Sequence, residues 1–194
     1  ALDPDLLGWP IAAALVVLAS HVPLGREVLA RGIVFLDLAV AQVAGLGILA
    51  AGSLGWEPAG WRMQASALTA ALLASAGLRI AEKRWPAIQE PLIGSLFVLA
   101  ASLGALLAAH DPHGSEQLRD ILVGQILWVS AEPVVIAAIA MAAALGIWAR
   151  WRHGGWAFYV AFAIGVTQSV QLVGVYLVFA SLIFPALAVR GLSL

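Results

Sequence analysis

The chain is 194 residues long, 62% hydrophobic and only 11% charged, with a mean hydropathy of +0.97, where a soluble domain carries roughly 25% charge. That composition excludes a soluble globular enzyme. Ten Lys and Arg against eleven Asp and Glu give a net charge of −1 and no basic field for nucleic acid, and the absence of cysteine means that any metal must be met by O and N ligands. Asp3 and Asp5 stand where a leader would be positive, so a cleavable secretory leader is not expected.

About 20 apolar residues cross a hydrocarbon core of roughly 30 Å. Four charge-poor runs predict spanning helices: Leu6 to Leu24, Gly32 to Trp56 with only Asp37, Met63 to Leu78, and Pro91 to Ala109. In the fifth run, Ile121 to Ala149, Glu132 precedes Pro133, and proline suits a first helical turn. The crossing is therefore placed near Pro133, with Trp128 and Trp148 at the two interfaces and Ser115 to Leu127 as an outer, partly inserted segment. The last run, Gly154 to Val189, is too long for one straight crossing, and Gly174 and Pro185 predict a bend or two short helices. Arg26, Arg31, Arg79, Lys83, Arg84, Arg150 and Arg152 fall at one side, and only Arg62 and Arg119 at the other. The positive-inside rule makes the first side cytoplasmic and the N-terminus external; Arg190 is placed by whether the final run crosses once or twice. The fold expected is all-α, a single transmembrane domain over 1–194 with about six spans.

Asp37 lies one to two turns inside the second run, where an ionised carboxylate costs about 2.5–3.5 kcal/mol unless paired or hydrated. It is either a ligand or relay on an ion path, or an acid paired with Arg31 or capping a helix. Ala39, Ala41, Gly45, Gly47 and Ala51 make this helix thin, which favours close approach by its neighbours. Gln42 is about 140° around the helix from Asp37, so the two share a site only if the helix is distorted. His113, Glu116 and Asp120 are spaced to share a helix face and could bind a divalent metal, or could be a hydrated first turn favoured by the helix dipole. Thr167, Gln168 and Gln171 form a polar strip that either glues helices or lines a wet passage. Glu132 is a cap or a pathway ligand. No GxxxxGK[ST] or GxSxG motif is present.

Three stretches together, HVPLGREVLARGIVFLDLAVAQ at 21–42, HGSEQLRDILVGQILWVS at 113–130 and VQLVGVYLVFASLIFPALA at 170–188, resemble the permease subunit of bacterial zinc/manganese-type metal-ion ABC importers. The resemblance implies a membrane subunit that binds no cofactor of its own and passes a divalent metal, zinc, manganese or iron, as substrate. It also implies pairing with a second permease copy in the inner membrane, metal delivery by an extracytoplasmic metal-binding protein and drive from a cytoplasmic ATP-binding subunit that hydrolyses the ATP. The family usually reads Gly-Asp-Ala-Leu-Ser-His in the second helix; here Asp37 keeps the acid and Ala41 takes the histidine position. Members carry a longer cytoplasmic docking helix where this chain has a short loop, making Arg150, Trp151, Arg152, His153 and Trp156 the candidate ATPase contacts. Arg and Trp are frequent interface anchors, and they are equally the residues of a membrane flank. The family continues with further helices after Pro-Ala-Leu-Ala. The rival readings are a secondary cation or proton transporter in which Asp37 or Glu132 titrates, and a structural membrane subunit; a copurifying ATPase separates them.

Overall fold

The computed structural model describes residues 4–57, 60–151 and 155–189, and all regular structure among them is helical. In order these are α1 (Pro4–Arg31), α2 (Leu36–Ser53), α3 (Trp61–Arg84), α4 (Gln89–Ala109), α5 (Gly114–Val123), α6 (Ala131–Arg150) and α7 (Gly155–Ala188), with 3-10 turns at Pro86–Ile88 and Ile126–Trp128. Six of these, all but α5, are long and apolar enough to cross a membrane. The expected all-α polytopic fold is found.

In lipid, apolar side chains gain little by moving from acyl chains to one another, so helix contacts rest on close backbone approach. α2 shows this directly. Ala39, Ala41 and Ala44 are fully buried, and a Cβ on Gly47 would stand 2.9 Å from the Ser66 carbonyl oxygen and 3.1 Å from Ala67 Cα of α3. The Ser66 hydroxyl donates to the Gly47 carbonyl at 2.9 Å, locking the contact. Gly45 leaves room in the same way for Ile121 of α5.

α1 and α3 run past the charge-free stretches that predicted them, because their terminal charges neutralise one another. Arg31 pairs with Glu27 at 2.7 Å and with Glu82 at 2.9 Å, and Glu82 also pairs with Arg79. With side chains 20–33% exposed, each pair is worth about 1 kcal/mol at most. The Arg31 guanidinium also lies 4.5 Å from the centre of the Phe158 ring, and Gln89 of α4 donates to the Tyr159 hydroxyl at 2.9 Å. α1, α3, α4 and α7 are thereby joined at what we call the basic end.

α6 begins at Ala131, close to the start expected near Pro133, with the exposed Trp128 just before it in a 3-10 turn. One expectation for α6 needs correction. Trp148 is buried at 7% exposure with its ring 6.1 Å from Phe158, packing inside the protein rather than marking an interface.

The break in the last run is a reversal. Gly174 sits at φ 76°, ψ 164° inside α7, a region open essentially to glycine alone. His21 of α1 lies 2.8 Å from the Ser169 hydroxyl through Nε2 and 2.7 Å from the Ser181 hydroxyl through Nδ1. In a straight helix those serines would stand roughly 18 Å apart, beyond the reach of one imidazole. Direction follows from neighbouring contacts. From Gly165 to Ser169 the first arm moves along α1 from Leu24 to His21, away from the basic end. From Ser181 to Ala186 the second arm moves from His21 to Gly25, back towards it. α7 is thus a hairpin with arms 155–173 and 175–188. Its tip is pinned where Gly124, also at positive φ (73°), meets Gly174 backbone to backbone, leaving no space for a Cβ on either. Arg190 lies outside the described residues.

Candidate functional site

At the end opposite the basic cluster, the short α5, the start of α6 and the first arm of α7 leave two adjoining cavities. One, of about 260 Å³, is lined by Gln64, Ser130, Glu132, Pro133, Ile136, Gln168, Gln171 and Leu172. The other, of about 380 Å³, is lined by Ile48, Met63, Gln64, Gln117, Asp120, Ile121, Gln125, Pro133, Val170 and Gln171. Gln64, Pro133 and Gln171 face both, so the two adjoin as one recess in which amides and carboxylates are set among apolar side chains.

Local sequence explains the arrangement. Gly124 and the 3-10 turn at Ile126–Trp128 bring the chain from α5 back to α6, and Ser130 in extended conformation starts α6, placing Glu132 in its first turn. Gln168 and Gln171 are one helical turn apart and so share a face. The recess therefore unites four residues singled out from sequence, Glu132, Asp120, Gln168 and Gln171. It adds Gln64, Gln117, Gln125 and Ser130, which sequence reasoning missed. The available signal was Gln64, an amide inside the apolar run 63–78; its facing could not be read without knowing what α3 packs against. Two carboxylates among several amides and a hydroxyl give hard oxygen ligands, the type that suits Mg²⁺, Ca²⁺ and Mn²⁺. Among the described residues no three His, Asp or Glu side chains gather as a metal-holding group.

Asp37 is elsewhere. It occupies the first turn of α2 near the basic end, is fully buried, and neither carboxylate oxygen has a hydrogen-bond partner. The expected alternative, a pair with Arg31, is not formed, because Arg31 is engaged by Glu27 and Glu82. Gln42 faces a different space, an apolar groove with Leu38, Phe97, Tyr176 and Phe184, so it does not join Asp37. Thr167 departs from the polar strip: it is buried, its hydroxyl has no partner, and it is not part of the recess lining.

His113 precedes α5, its backbone N–H donates to Asp111 at 2.9 Å, and its side chain is 83% exposed. Glu116, in the first turn of α5, is exposed. These two and Asp120 do not converge, and only Asp120 reaches the recess. At the basic end Arg150, Trp151 and Trp156 are exposed around the connection between α6 and α7; Arg152 and His153 lie outside the described residues.

No curated protein matches the sequence. Among solved structures the chain is similar to PsaBC from Streptococcus pneumoniae in complex with Fab, at a TM-score of 0.69 and 22% identity, over 92% of this chain and 70% of that one. At that identity the likeness is one of fold. The profile of the ABC 3 transport family matches residues 4–153, which takes in α1 to α6 and most of the chain. The bundle of apolar helices, with its recess at the end opposite the basic cluster, thus has a sequence match over most of its length: the chain belongs to the ABC 3 transport family.

Proposed function

We propose that this chain is the membrane-spanning permease subunit of an ATP-driven importer for divalent metal ions. Family membership supports the transport role, and the observation that carries the choice of cargo is Asp37. An embedded carboxylate without a hydrogen bond is costly. Its position in the first turn of α2 tempers that cost through the helix dipole, and both buried oxygens keep the capacity to coordinate a cation that reaches them. The recess at the far end supplies the first oxygen ligands from outside, and the buried acid supplies the next towards the basic end. Both are weak enough for an ion to leave, as conduction requires. With Ala41 in place of an imidazole and oxygen donors throughout, the set favours manganese over zinc.

In this reading the basic end is cytoplasmic, an extracytoplasmic metal-binding protein delivers the ion to the recess, and a second permease copy completes the pathway. The cytoplasmic ATP-binding subunit docks around Arg150, Trp151 and Trp156, with Arg152 and His153, which lie between them in sequence. The rival, a secondary transporter titrating Asp37 or Glu132, needs no nucleotide. Purification from the native membrane in mild detergent separates them. We expect an ATPase to copurify, and Trp151→Ala with Trp156→Ala to release it while the protein stays inserted. Consistent absence of any ATPase would favour the rival, and retention by the double variant would move the contact to Arg79–Trp85.

A further inference from the structure

His21 has no part in the pathway above, yet it is fully buried and holds two segments at once. The geometry points to His21 as a positioning residue: one imidazole fixes both arms of the α7 hairpin against α1 and thereby sets the rotation of the arm that presents Gln168 and Gln171 to the recess. The last clause rests on the proposed function; the clamp itself does not.

Proton counting defines what the clamp requires. The Ser169 hydroxyl is placed to donate to the Gly165 carbonyl at 2.8 Å, and the Ser181 hydroxyl to the Val178 carbonyl at 3.0 Å. Each hydroxyl has a single proton. If both are given to carbonyls, both ring nitrogens must donate, which needs an imidazolium; yet no ion pair involves His21 among the described residues, and an unpaired buried charge is costly. A neutral ring has one N–H and one bare nitrogen, so one serine accepts from it and the other donates to it. The clamp therefore needs one donor and one acceptor at the ends of a short side chain, not a charge.

Ser169 lies between Gln168 and Gln171 in sequence, with His21 holding it on the α1 side while the two amides face the recess. Neighbouring contacts leave little slack on that side. A Cβ on Gly25 would overlap the Leu182 carbonyl, and the Leu24 side chain closes on Gly165 at 3.2 Å from such a position. α1 is in turn tied to α6, where Ser20 reaches Met141 sulfur at 3.3 Å. The arms are thus bound to move with α1 as one body.

The chain has no cysteine, so spin labels can be placed at the exposed Val160 and Leu187, one on each arm. Pulsed dipolar distances would be measured on the full chain in nanodiscs as wild type, His21→Leu and His21→Gln. Leucine keeps apolar bulk without hydrogen bonds; glutamine restores one donor and one acceptor. We expect a single narrow distance in wild type, a broadened or shifted one in His21→Leu, and recovery in His21→Gln. In parallel, His21→Leu should raise half-saturation for manganese uptake about tenfold, and His21→Gln should return it. An unchanged distance in a folded His21→Leu chain would overturn the clamp, as would a His21→Gln distance no better than that of leucine. Loosened arms with unchanged half-saturation would overturn the positioning of the amides. A wild type that carries no cation would remove the proposed function and leave the distances to decide the clamp.

Discussion

Asp37 and Arg31 show how differently two embedded charges are treated. Arg31 is neutralised by a local partner, Glu27 one turn away, and by a distant one, Glu82, whereas Asp37 is buried without a hydrogen-bond partner. Removing a buried, unsatisfied charge relieves a desolvation cost. Asp37→Asn is therefore expected to hold or raise the melting temperature in detergent, while Arg31→Gln, which strands two carboxylates, should lower it; a clear loss of stability in Asp37→Asn would show that its oxygens are satisfied. In the recess, Glu132→Gln keeps shape and loses charge, and should raise half-saturation for manganese several-fold with little change in stability, since the side chain is exposed; equal half-saturation would remove Glu132 from the path. The sequence made Asp37 conspicuous because a lone acid in an apolar run is costly whatever the fold. Its absence of a partner was not legible, since that depends on Glu82, which lies 51 residues from Arg31.

At the scale of elements, charge-poor runs located every helix long enough to cross a membrane, and Gly174 marked the break in the last. The reversal itself was hidden, because glycine announces freedom of φ without announcing direction; the contacts of His21 with two serines on α7 give the direction. Trp148 misled for a related reason. Tryptophan near a run end reads as an interface anchor unless a packing partner is known, and that partner, Phe158, belongs to the next helix. The glycines give a paired test. Gly174→Ala must force a side chain into a glycine-only conformation and into the Gly124 backbone, at a cost of about 1–3 kcal/mol for the conformation alone. Gly146→Ala in α6 meets open space and should gain about 0.5–1 kcal/mol of helix stability. Thermal unfolding of the two variants in one detergent would distinguish them, and equal behaviour would contradict the hairpin.

For the whole molecule, the basic end is cross-linked by ion pairs and the opposite end carries the recess. Orientation can be tested by labelling with an impermeant maleimide. Gly114 and Gly155 are poor sites, since a Cβ would strike Ala108 or the Arg79 guanidinium, but Ser115 and Lys83 are exposed. Cysteine at Ser115 should react in intact cells and cysteine at Lys83 only after lysis; the reverse pattern would invert the topology. Metal import is tested most directly in proteoliposomes that contain this chain with the ATPase expected to copurify, with radioactive manganese outside and ATP supplied to the nucleotide-binding side. Accumulation should require ATP hydrolysis and fall at least tenfold in Asp37→Asn at equal insertion, with Asp120→Asn affected less. Accumulation driven by a proton gradient without ATP, or full uptake by a well-inserted Asp37→Asn protein, would contradict the proposed function.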